Sequence, residues 1–66
     1  MSTQTTINTL IISLLSKETL HISGIISLEE LHKATQDVYT ALNGVNAADS
    51  VYELVRGLAA KYDSLL

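Results

Sequence analysis

Cysteine, proline, tryptophan and phenylalanine are all missing from this 66-residue chain. Each absence removes a class of protein. Without cysteine there is neither a disulfide framework nor a thiolate metal site, so a small core has to be held by packing. Without proline, and with only three glycines, the punctuation of a turn-rich β protein is lacking, which favours helices. Basic residues are scarce: four Lys and Arg stand against seven Asp and Glu, a formal charge of −3. A nucleic-acid footprint needs clustered Lys and Arg, so no direct binding to nucleic acid is expected. Long hydrophobic runs are absent as well. The longest, Leu10 to Leu15, is broken by Ser13 and falls far short of the roughly 20 residues that cross a bilayer. The stretch Met1 to Thr6 is polar and uncharged, without the basic segment that opens a secretory signal. The expectation is a soluble, cytoplasmic protein that engages no membrane.

What the chain does have is apolar residues: 47% of positions, against 17% charged. The length fits a single helical domain over 1–66. A chain this short buries only about 60% of its unfolded surface, which makes an isolated monomer marginal. An apolar surplus that one copy cannot hide predicts a partner, most simply a second copy in a homodimer or higher oligomer.

Periodicity predicts an all-α bundle of three helices. Leu28, Leu31, Thr35, Val38, Leu42 and Val45 form one stripe, with Thr35 its single polar interruption, and Glu29, Lys33, Gln36, Asp37 and Thr40 collect on the opposite face. Glu29–Lys33 and Lys33–Asp37 have the i,i+4 spacing of helical ion pairs. Ser27 and Glu30 read as a capping box, with Ile26 and Leu31 as its hydrophobic staple, and Gly44 as a left-handed C-terminal cap. This defines helix two, about 28–43. In helix three, about 47–65, Val51, Val55, Leu58, Tyr62 and Leu65 repeat by fours and threes, while Leu54, Ala59 and Leu66 widen the stripe. Asn46 or Asp49 is its expected N-cap. Gly57 lies inside this helix and is expected to be tolerated there rather than required.

Helix one, about 3–16, carries Ile7, Leu10, Ile11 and Leu14 on one face, with Ile12 and Leu15 off it. A helix apolar on two sides is buried on two sides. Residues 17–26 are expected to form a packed apolar connector, a short helical turn and an extended link through Ser23-Gly24. Helices two and three are expected to pair antiparallel through Leu31, Val38, Leu42 and Val55, Leu58, Tyr62. Helix one then covers them or crosses to a second subunit, leaving Ile12, Leu15, Ile22 and Ile25 as the dimer or partner surface. Tyr39 and Tyr62 sit on or beside the core stripes. Tyr52, in line with Ala59 and Leu66, is weighed evenly between an anchor on a second surface and simple exposure.

Short patterns that hint at chemistry fail on their ligands. Ser23-Gly24 through Glu30 has the outline of half an EF-hand loop, but Thr19, His21 and Ser23 stand where acidic or amide oxygens are needed. Glu29-x-x-His32 has the step used in di-iron bundles, with Glu18 or Glu53 as further donors from a dimer, yet Glu29 lies on the solvated face. No metal site and no cofactor is expected. Asp63-Ser64-Leu65 matches the attachment triplet of acyl carrier proteins in three letters only, at the wrong end of a helix. No sequence signature groups His21 or His32 with a serine and an acid, so no catalytic residue is assigned and no enzyme is expected.

Glu30-Leu31, Asp37-Val38, Ala41-Leu42 and Val45 resemble the helical N-terminal segment of Ros/MucR-type bacterial regulators, a short likeness of generic amphipathic pattern rather than a family assignment. The zinc-binding DNA reader of that family is missing here. The resemblance implies an oligomerising component without a DNA reader of its own. The residues themselves favour a self-associating, non-enzymatic module that binds another protein stoichiometrically: a regulator, inhibitor, adaptor or chaperone, of the kind phages and mobile elements encode. The alternative from the residues is a small-molecule site at a subunit interface, with Lys17, Arg56 and Lys61 as scattered anion contacts.

Overall fold

The computed structural model describes residues 3–66 and contains α1 (Thr3–Ile22), α2 (Leu28–Asn43) and α3 (Asp49–Leu65), with no strand among the described residues. Met1 and Ser2, the start of the polar N-terminal stretch, lie outside them.

Helix α1 is longer than the spacing predicts. The expected connector over 17–26 is a correction: Lys17 to Ile22 continue the helix and only residues 23–27 link it to α2. Nothing between Lys17 and Ile22 can stop a helix, and the stop comes at Gly24, with φ +79°. The Gly24 amide donates to the His21 carbonyl at 2.9 Å and the Ile25 amide to the Leu20 carbonyl at 2.9 Å. That pair of bonds is a Schellman cap, which needs a left-handed residue and so falls on glycine. The His21 ring closes the turn, its Nδ1 lying 3.1 Å from the Ile26 carbonyl. Hydroxyls within α1 turn inward on the helix itself: Thr9 donates to the Thr5 carbonyl, Ser16 to Ile12 and Thr19 to Leu15. A helix rich in Ser and Thr satisfies its side chains this way.

Helix α2 has the expected bounds and the expected inner stripe: Leu31, Thr35, Val38 and Leu42 are buried. Thr35 is fully buried and its Oγ1 donates to the Leu31 carbonyl at 2.9 Å, which removes the desolvation problem of a hydroxyl in the core. Ser27 Oγ accepts from the Glu30 amide at 3.2 Å, the N-cap half of the capping box. The other terminus corrects two expectations. Gly44 is right-handed, φ −89°, and the left-handed residue is Asn46, φ 54°. Amides of Gly44 and Val45 donate to Ala41 and Leu42, tightening the last turn, so the reversal falls two residues later, on a residue type that tolerates it. The N-cap of α3 is then neither Asn46 nor Asp49 but Ala48, which offers no capping side chain. Asp49 instead occupies the first turn, where its charge suits the helix dipole.

Helix α2 is the centre of the fold. It packs against α1 on one side and α3 on the other, whereas no Cα of α1 lies within 8 Å of a Cα of α3 among the described residues. Ile7 and Leu14 from α1, Val38 and Leu42 from α2, and Ala47 and Val55 form one core cluster. The α2–α3 pairing is antiparallel, as expected: the Tyr52 hydroxyl donates to the Leu42 carbonyl at one end, and His32 Nε2 stands 3.9 Å from Asp63 at the other. Principal extents of 34 × 21 × 15 Å describe a slab.

Candidate functional site

Because α1 and α3 both reach across to α2 without closing on each other, the two share an open face. A groove lined by Asn8, Ile11, Ile12, Val51 and Leu54 lies at the end where both helices begin. A second, lined by Glu18, His21, Ile22, Lys61 and Leu65 over a floor of Leu28, Leu31 and Tyr62, lies where both finish. The helices therefore run parallel, side by side, and their facing flanks are apolar. Exposure is high for side chains of this kind: Ile12 62%, Leu15 54% and Ile22 79% on α1, Leu54 56% and Leu65 62% on α3. Ile25 and Leu66, also exposed, stand at the end where α1 and α3 terminate.

Five of the six residues singled out from sequence, Ile12, Leu15, Ile22, Ile25 and Leu66, are thus exposed. Tyr52 is not on this face. Its hydroxyl bonds to the Leu42 carbonyl and its ring meets Tyr39 edge-on, centroids 6.0 Å apart at 76°. It is a half-buried strut between α2 and α3, and its polar and apolar parts are both occupied within the chain. Sequence reasoning missed Leu54 and Leu65 as surface residues. Spacing sets Leu65 on the core stripe of helix three and Leu54 on its widening, whereas both are exposed on the flank that lines the grooves between α1 and α3.

Charged groups are mostly unpaired on the remaining surface. The spacing-based pairs Glu29–Lys33 and Lys33–Asp37 do not close, and the ion pairs among the described residues are His32–Asp63 and an exposed Glu53–Arg56 contact at 3.6 Å. Tyr62 is the titrating group whose surroundings shift it most clearly: burial, and then the neighbouring Glu18 carboxylate, push its phenol above the ordinary value of 10.0. Both effects disfavour a phenolate. Among the described residues no group of three or more His, Cys, Asp or Glu is arranged to hold a metal. Of the residues that outline an EF-hand, the Thr19 hydroxyl and the His21 ring are engaged in helix α1 and its cap, and Glu29 is exposed away from the core. Ser64 donates to the Lys61 carbonyl at 2.8 Å in the last turn of α3.

The three cations weighed for an anionic ligand do not converge. Lys17 borders the α1–α2 side, Lys61 the α1–α3 groove, and Arg56 an open groove of about 610 Å³ beside Gln36, Tyr39 and Thr40. None of the described helices is long and apolar enough to cross a membrane. What the arrangement offers is a broad apolar surface, suited to binding by burial and shape. Comparison of the chain with protein-family models, with curated proteins and with solved structures finds no match to any of them.

Proposed function

We propose that this chain is a non-enzymatic helical interaction module of the cytoplasm, which self-associates and acts by stoichiometric binding to another protein. Regulators, inhibitors, adaptors and chaperones work in this way. The observation that carries this reading is the convergence of Ile12, Leu15 and Ile22 with Leu54 and Leu65 on the open face between α1 and α3. Covering apolar surface stabilises by about 25 cal/mol per Å², so such a face carries a standing drive to be covered. The rest of the chemistry agrees. Each histidine is turned to a structural neighbour, the Ile26 carbonyl for His21 and the Asp63 carboxylate for His32. The test is sedimentation equilibrium over a wide range of concentration, on the wild type and on the double variant Leu15→Asp, Ile25→Asp. A dimer or higher oligomer is expected for the wild type and a soluble, folded monomer for the variant. A wild type that stays monomeric throughout would overturn the reading.

A further inference from the structure

The facing flanks of α1 and α3 carry the same pattern in the same order. On α1 it is Ile11, Leu15, Glu18, Ile22, and on α3 it is Leu54, Leu58, Lys61, Leu65, each with steps of four, three and four. The grooves bring the two rows together in the same order at both ends: Ile11 and Leu54 line one groove, and Glu18 and Ile22 line the other with Lys61 and Leu65. Leu15 and Leu58 fall between by spacing. An apolar residue thus faces an apolar one at three levels, and an acid faces a base at the fourth.

We infer that this face takes a second copy of the chain, with the twofold axis running along the helices. The inference rests on the proposed function, and specifies its self-association. Rotation about such an axis lays α1 of one protomer on α3 of the other with both pointing the same way. It therefore stacks Leu15 on Leu58 and Ile22 on Leu65 of the second copy and sets Glu18 against its Lys61, twice per dimer. The result is a four-helix layer between two outer α2 helices.

Two further observations favour a second copy over an unrelated partner. The first is charge. A face that meets its own copy repels itself unless its charges cancel, and this one carries one acid, Glu18, and one base, Lys61. The six other acids and three other bases, which hold the whole formal charge of −3, lie elsewhere on the chain. Neither Glu18 nor Lys61 is ion-paired among the described residues. The second is area. With about 190 Å² for a fully exposed Leu or Ile, the five exposed residues leave roughly 600 Å² of accessible surface, and half-buried Ile11, Val51 and Leu58 bring it towards the approximately 800 Å² per partner of a standard interface.

The test is an exchange of charge between subunits. Glu18→Lys and Lys61→Glu, each alone, set like charges against each other at both crossings. Each variant is expected to raise the dissociation constant by about tenfold, read by sedimentation equilibrium at low salt. Mixed in equal amounts, the two restore opposite charges at both crossings between subunits, and association is expected to return to the wild-type level. Ile22→Cys and Leu65→Cys give a second readout, since the chain has no cysteine of its own. Under mild oxidation the mixture is expected to yield a disulfide-linked dimer and neither variant alone to do so. A wild-type dimer unaffected by both charge variants, a mixture that fails to recover, or cross-linking of a single variant would overturn the inference and leave self-association standing. A monomeric wild type would overturn both.

Discussion

At the scale of single residues, two side-chain positions separate local stability from assembly. Gly57 lies exposed in the middle of α3, and a Cβ added there meets nothing within 4 Å. Its φ is not left-handed, so neither conformation nor close approach within the chain requires glycine. Gly57→Ala is expected to raise the unfolding free energy by about 1 kcal/mol, measured by denaturant titration. A loss of stability would mean that another chain approaches the α3 backbone there. Tyr62 gives a pH dependence. Its phenol titrates higher in the folded chain than unfolded, because burial and Glu18 both oppose the phenolate. Below the unfolded value both states hold the proton and nothing changes. Above it the unfolded chain releases the proton first, so stability falls as pH rises past about 10. Tyr62→Phe is expected to flatten that alkaline limb in thermal melts taken across the range, and an unchanged limb would assign it to other groups.

At the scale of the helices, type, inner faces and the bounds of α2 were legible, whereas the end of α1 and the turn into α3 were not, for reasons that differ between the two. The stripe of α2 needed only period 3.6, since Leu31, Val38 and Leu42 have polar residues opposite them. The end of α1 lay in Gly24, eight positions beyond Ser16. Leu20, Ile22, Ile25 and Ile26 make the segment read as a packed connector, yet nothing before the glycine stops a helix, so α1 runs on and leaves Ile22 and Ile25 exposed rather than packed. At the α2–α3 turn, Gly44 and Asn46 could each take the left-handed position, and the tightening of the last turn through Ala41 and Leu42 selects Asn46. The exposed face was half legible. Ile12, Leu15 and Ile22 stand out because α1 is apolar on two sides. Leu54 and Leu65 do not, because Val51 and Leu58 belong both to the inner row with Val55 and Tyr62 and to the outer row with them. The same turn supplies a prediction. Ala48 occupies the N-cap of α3 with extended geometry, φ −65° and ψ 150°, and no side-chain acceptor. Ala48→Ser supplies one to an orphan amide of the first turn and is expected to stabilise the chain by about 1 kcal/mol in chemical unfolding. An unchanged midpoint would show that the first-turn amides are already satisfied without it.

At the scale of the whole molecule, the thinness of the slab and the marginal size of the chain have one consequence. A core built from Ile7, Leu14, Val38, Leu42, Ala47 and Val55 is small, and a chain of this length draws little stability from one copy alone. If the α1–α3 face is covered by a second copy, folding and association are one equilibrium, two unfolded chains against one folded dimer, and mass action enters the stability. Each tenfold rise in concentration then favours the dimer by about 1.4 kcal/mol, shared between two chains. For domains of this size that is a shift of roughly 3–5 °C in Tm. The melting temperature of the wild type is accordingly expected to climb by a few degrees per decade of concentration. The Leu15→Asp variant, with a carboxylate at the centre of the face, should melt lower and at the same temperature whatever its concentration. A wild-type Tm independent of concentration would assign all of the stability to the single chain and leave the apolar face of α1 and α3 uncovered in the folded state.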